Sequence, residues 1–219
     1  MFNRRNTLAA AVALGAMAFS GAGANAAAPT EAQTFVLTNA QSTIQVMGDP
    51  KLSAAERVAK FDEAMNKIAD FPAVSRFVLG RYANRFNAQQ TADFQAAFRE
   101  YMLTSYRTQL DRYRGTGVTL AKGYMERTAT DVVVPTNIAT KQSADPLPVK
   151  WRAKKGPSGW KIIDVQLWGV WLAIEQRADF ETAFANGGSK PEGLIAYIKD
   201  KTAEMKAGKS ASKKAGGAG

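Results

Sequence analysis

Neither cysteine nor histidine occurs anywhere in the 219 residues. Without cysteine there are no disulfides, no thiolate metal sites and no lipidated-cysteine anchor, so packing alone must hold the fold. Without histidine the commonest general base and the commonest metal ligand are missing. Ser-His and Cys-His nucleophile systems are excluded with them. Acidic residues are also sparse, 19 against 29 Lys and Arg, and they are scattered. No glycine-rich phosphate loop follows a strand, and no helical ladder of carboxylates suggests a metal site.

Long apolar runs are lacking too, with one exception near the N-terminus. Arg4 and Arg5 precede the apolar stretch Leu8 to Phe19, and Ala24-Asn25-Ala26 supplies small residues at a cleavage site. Basic start, short apolar run and small-residue end make up a secretory signal, and the run is too short to span a bilayer. The expectation is cleavage after Ala26, a soluble mature chain and a periplasmic location. The paired arginines admit twin-arginine export, but Thr7 stands where a bulkier apolar residue is usual, and the general secretory route fits better. The formal charge of +10 owes much to the C-terminal lysines Lys199, Lys201, Lys206, Lys209, Lys213 and Lys214. A basic exported domain suits anionic lipid surfaces or acidic partners, and no nucleic acid partner is expected.

Four small polar residues carry Glu or Gln three positions on: Thr30 with Gln33, Ser53 with Glu56, Asn87 with Gln90, and Ser189 with Glu192. Each pair can satisfy orphan backbone donors at a helix start. Periodicity predicts helices over Phe35 to Met47 and Ser53 to Ala69, then one from Pro72. A longer one follows from Ala88 to about Arg114, its apolar stripe including Phe94, Phe98, Met102, Tyr106, Leu110 and Tyr113. After Gly115 the period becomes alternating. Gly117 to Arg127, Thr130 to Thr140, Pro148 to Lys155 and Trp160 to Trp168 read as four strands, the last two a hairpin about Gly156-Pro157-Ser158-Gly159. Helices return over Val170 to Ala185 and Pro191 to Met205. Residues 207–219, rich in Lys, Ala, Gly and Ser, read as a disordered tail. Blocks of helix and strand argue for an α+β fold, with helices covering a four-stranded antiparallel sheet. The implied organisation is a signal over 1–26 and one domain over 27–206: helical from 30 to 114, sheet from 115 to 168, C-terminal helices from 170 to 206.

Two carboxylates on predicted strands, Asp131 and Asp164, could serve a pocket enzyme as general acid or base, although a strand carboxylate paired with a nearby cation is the commoner arrangement. All four tryptophans fall between Trp151 and Trp171. Trp160, Trp168 and Trp171 fit either a pocket mouth or a protein interface, since indole prefers a surface half apolar and half wet. Lys150, Arg152 and Lys154 alternate with Val149, Trp151 and Ala153. They read as the solvated face of a sheet or as a docking strip for lipid phosphates or an acidic partner. A structural adaptor joining envelope complexes through the tryptophans and this strip is a third reading, which requires no cavity.

Several segments together resemble the Mla-type (toluene-tolerance) periplasmic lipid carriers. They are Phe71-Pro72, Val78-Leu79-Gly80-Arg81-Tyr82, then Phe94, Phe98 and Tyr106-Arg107, followed by Trp160-Lys161-Ile162-Ile163-Asp164-Val165, Gly169-Val170-Trp171-Leu172, Arg177 and Phe180. The resemblance spans roughly residues 30 to 205. It implies a nuclear-transport-factor-2-like, strongly curved sheet with phospholipid tails buried between it and the helices. It also implies a carrier without catalysis or cofactor, served by an inner-membrane ABC transporter with a ring of MCE domains and by an outer-membrane lipoprotein complex. Trp171 departs from the small serine usual there, which favours another apolar ligand such as a hopanoid if that position borders the cavity. On this reading Val74, Val78, Tyr82, Phe98, Met102 and Tyr106 of the helices line one cavity with Trp151, Ile163, Val165, Trp168 and Val170 of the sheet and its end.

Overall fold

The computed structural model describes residues 28–107, 115–140 and 143–208. The signal segment over 1–26, the helix end from 108 to 114 with Leu110 and Tyr113, and the tail from 209 onward lie outside the described residues. Six α-helices and six strands follow one another as α1 (Glu31–Gly48), α2 (Ala54–Ile68), α3 (Phe71–Leu79), α4 (Ala88–Arg107), β1 (Gly115–Leu120), β2 (Met125–Thr128), β3 (Asp131–Thr140), β4 (Leu147–Gly156), β5 (Gly159–Leu167), β6 (Val170–Trp171), α5 (Leu172–Asn186) and α6 (Pro191–Lys206). A short 3₁₀ segment, Gly80–Arg85, joins α3 to the loop before α4. Among the described residues no helix is long and apolar enough to cross a membrane.

Helix starts follow local chemistry. Thr30 with Gln33 and Ser53 with Glu56 form reciprocal capping boxes, and Asn87 exchanges the same pair of bonds with Gln90 at 2.8 and 2.9 Å. Asp70 caps α3 by accepting from the Ala73 N–H at 2.9 Å, and Pro72 sits in the first turn. The fourth expected cap is corrected. Ser189 has φ 57°, and its N–H closes the end of α5 by bonding the Phe184 carbonyl at 2.9 Å. Pro191, preorganised for a first helical position, starts α6 after Lys190, which offers no side-chain cap. Glu192 is thereby released to accept a hydrogen bond from the Gln90 amide of α4.

The sheet is antiparallel and does not close, with the order β1-β3-β4-β5-β6 and β2 beside β1 along β3. Its six strands replace the four expected, for two reasons. The long strand expected over Gly117 to Arg127 is broken in two. Leu120 pairs with Thr136 and Met125 with Val133, which leaves the stretch opposite Pro135 unpaired. The Pro135 carbonyl faces this side, where it accepts the Ala121 N–H at 3.0 Å. In an antiparallel ladder the same residue's N–H would also point there, and proline has none to give. The ladder breaks at that point, and Gly123 at φ 95° turns the chain. The sixth strand is Val170–Trp171, which folds back on Gln166 and Leu167 instead of opening α5.

Helix α1 lies across β1, β3 and β4, packing Ala32 and Val36 onto Val132, Val134, Ala153 and Ile162. The helices α3, α4, α5 and α6 enclose a core of their own around Phe94, Phe98, Phe180 and Phe184. Phe180 stands edge-on to Phe94 and Phe98 at 6.1 and 6.0 Å, a geometry that aligns ring edge with ring face. Arg107 of α4 pairs with Asp62 of α2, and Arg99 bonds Asn66 at 2.8 Å, tying those helices together.

Candidate lipid cavity

Where the helical core meets β5, packing is incomplete. A cavity of about 50 Å³ lies there, lined almost wholly by apolar side chains. Met65 and Ala69 at the end of α2, Phe71 and Val74 of α3, and Phe98, Met102 and Tyr106 of α4 form its helical wall. Ile162 to Val165 of β5 and Leu172, Ala173 and Gln176 of α5 close it.

Consecutive residues of one strand normally face opposite sides, so four in a row along one cavity need an explanation. The ladder supplies it: Ala153 pairs with Ile162 while its neighbour Arg152 pairs with Asp164, leaving Ile163 as the extra residue of a β-bulge. The outer edge of β5 is covered here by the α2–α3 junction. Asp70 donates its N–H to the Ile162 carbonyl at 3.0 Å, and Ala69 bridges Ile162 in parallel. Lys161 reaches the Lys67 carbonyl on the same edge.

Three polar groups border the cavity. Asp164 accepts the N–H of Val165 at 2.8 Å and of Ala173 at 2.9 Å, so β5 supplies the N-terminal cap that Trp171 does not give α5. Burial pushes the Asp164 carboxyl above its ordinary range, against these two hydrogen bonds and Arg152, which lower it. Burial, with the Asp164 charge as a smaller contribution, raises the Tyr106 phenol, which is therefore neutral at any physiological pH. Gln176 is the third. No Lys or Arg is among the lining residues.

The cavity brings together six of the eleven expected residues: Val74, Phe98, Met102, Tyr106, Ile163 and Val165. The other five of the expected set do not line it. Val78 is sealed in the helical core, and Tyr82 packs its ring 4.5 Å from Phe184. Trp151 donates its indole N–H to Thr136 Oγ1 at 2.8 Å and borders a second, smaller cavity of about 10 Å³ under α1. Trp168 and Val170 are 65% and 47% exposed at the β5–β6 turn, where Trp168 at φ 47° and Gly169 at φ 85° reverse the chain. Trp171 lines neither cavity. Met65 shows the helical spacing of α2 but is not among the expected lining, and Ala69 and the start of α5 lie at a junction and a helix end, which carry no period of their own.

Other expected chemistry has structural work. Asp131 receives Arg152 Nε at 3.0 Å and Nη2 at 2.7 Å, and this hydrogen-bonded cation holds its carboxyl below the usual range despite burial. Arg152 is therefore bound to its neighbour strand, and only Lys150 and Lys154 of the basic face stand exposed. Gly80, at φ 51°, lets the Arg177 guanidinium lie 2.7 Å from where a Cβ would be, with the same guanidinium over the Phe77 ring. The Val78-to-Tyr82 segment is thus the joint between α3 and α5.

A family model described as MlaC protein matches residues 37–200. No curated protein matches the chain. Among solved structures it is similar to a phospholipid-binding protein from Ralstonia solanacearum, solved in complex with a phospholipid. The TM-score is 0.67 at 25% identity, over 81% of this chain and 99% of that one.

Proposed function

The chain belongs to the MlaC protein family, and from that premise we propose that it is a periplasmic lipid-binding shuttle carrying phospholipid between the inner and outer membranes. The observation that carries the reading is the apolar cavity between helices and β5, in a chain similar to a protein solved with phospholipid. The acyl tails lie between α3, α4 and α5 on one side and the curved, nuclear-transport-factor-2-like sheet on the other. Val74, Phe98, Met102, Tyr106, Ile163 and Val165 touch them.

The physical task explains the design. A phospholipid carries about 30 tail methylenes, each costing roughly 0.8 kcal/mol in water, so unaided crossing of an aqueous space faces a barrier on the order of 20 kcal/mol. Sheathing the tails removes most of that barrier, and no catalytic residue is required. The cavity of about 50 Å³ is far below the roughly 300–1,000 Å³ of ordinary ligand sites. Loading therefore moves α3, α4 and α5 away from β5, and unloading lets them close. Carrier closure after release favours transfer in one step, since the emptied protein leaves no wet apolar trough.

In this reading the chain is exported, cleaved after Ala26, and folded as one carrier domain over 27–206. It receives and delivers lipid at an inner-membrane ABC transporter bearing an MCE ring and at an outer-membrane lipoprotein complex. Native mass spectrometry of protein purified from the periplasm is the test. A mass starting at Ala27 with added phospholipid supports the proposal, and lipid-free protein that takes up none from vesicles overturns it.

A further inference from the structure

The two cavities share one wall. Ile162 is the single residue bordering both the larger cavity at β5 and the smaller one under α1. The smaller space is otherwise enclosed by Phe35, Val36, Asn39, Ala40, Ile68 and Trp151. Its polar donors are already engaged: the Asn39 amide donates to the Phe35 carbonyl at 2.7 Å, and the Trp151 N–H is held by Thr136. At about 10 Å³ it is at the limit of one water, and a space lined this way stays dry.

Ile162 is a fixed wall. Its backbone is held on both edges, by Ala153 of β4 and by the Asp70 N–H, and the residue is only 7% exposed. Branching at Cβ leaves few side-chain rotamers. Opposite it stands Ala153, and Ala32 and Ala40 of α1 are also small, so space given up by Ile162 opens toward α1. Across the bulge, Ile162 and Val165 both border the larger cavity three residues apart, and Ile162 stands between it and the smaller one.

We propose that Ile162 is the specificity-determining end wall of the carrier, setting the length of acyl chain that the cavity accepts, with the small chamber behind it as a closed extension. This rests on the lipid-carrier reading and refines it. Removing three carbons by Ile162→Ala joins the chambers and lets tail ends pass under α1. Each further methylene taken out of water is worth about fourfold in relative affinity.

The test is competitive loading of full-length protein from vesicles containing equal amounts of short-tailed and long-tailed phosphatidylglycerol, with bound lipid identified by mass spectrometry. Ile162→Ala should raise the long-to-short ratio by about fourfold or more over wild type. Ile162→Val, which keeps the fold safest, should move it the same way by less. Val149→Ala is the control, a buried position 2% exposed that borders neither chamber. An unchanged ratio in folded, loaded Ile162→Ala, or an equal shift in Val149→Ala, overturns the end-wall role and leaves the carrier reading standing. Wild type that takes up neither lipid overturns the carrier reading itself.

Discussion

Val165→Glu tests the cavity most directly. Val165 borders it from β5, opposite Trp151 in the ladder, beside an Asp164 carboxyl that burial already disfavours as an anion. No lining residue is cationic, so a glutamate placed there finds no ion-pair partner. An unpaired polar group against hydrocarbon costs roughly 2–7 kcal/mol, and a carboxylate either exceeds this or stays protonated. Even about 3 kcal/mol lowers lipid affinity on the order of a hundredfold. In the lipid-free protein the side chain can turn to water as the cavity opens, so the fold should lose less than the complex. The control is Lys150→Glu, which introduces the same side chain on the exposed face of the neighbouring strand. Arg152→Glu does not serve, because it would set a carboxylate against Asp131 where Arg152 now binds it. The assay is lipid phosphorus per protein after purification, with circular dichroism confirming the fold of both variants. Lipid content equal to wild type in a folded Val165→Glu protein refutes the placement of tails along β5.

Trp168→Ser and Val170→Ser should leave co-purified lipid unchanged, since both side chains stand outside the cavity; a lipid-free Trp168→Ser protein would return the turn to the binding surface. Gly80→Ala should cost about 1–2 kcal/mol in urea unfolding, from the left-handed backbone and the displaced Arg177 guanidinium, and a loss within experimental error would contradict the joint described for α3 and α5. Asp164→Asn keeps an acceptor oxygen for Val165 and Ala173 and should stay folded and loaded, whereas Asp164→Ala should lose about 1 kcal/mol of cap; loss of lipid from a folded Asp164→Asn would point to a role for the charge itself. The two buried carboxyls act oppositely with pH. Asp164, raised in the fold, contributes stability that is complete below the usual carboxylate range and lost as pH rises through its folded value, so Asp164→Asn should flatten that part of the curve. Asp131, lowered mainly by Arg152, contributes stability above pH of about 4 that disappears on acidification below it, and Asp131→Asn should remove this acid-side loss in thermal melts.

What the amino-acid sequence determined by itself is what depends on neighbours a few residues away. Thr30, Ser53 and Asn87 cap helices because donor and acceptor lie three positions apart, and the alternation of Val149, Trp151 and Ala153 with Lys150, Arg152 and Lys154 marks a half-buried strand whatever it packs against. The stripe Phe94, Phe98 and Met102 likewise announced a buried helix face. It could not say which of these residues would meet Phe180 and which would meet β5. That division was made by the tertiary structure, because a cavity is where two surfaces fail to meet and neither surface encodes it alone. The bulge at Ile163 lies beside the point where the α2–α3 junction covers the edge of β5 at Ile162, a contact across more than ninety residues of chain. Trp168 and Val170 look like pocket residues in sequence and are surface residues in space, because β6 folds back on β5 before α5 begins. Asp164 became a helix cap through Ala173, nine residues on, a distance at which spacing carries no conformational information and only the turn of the chain brings donor to acceptor.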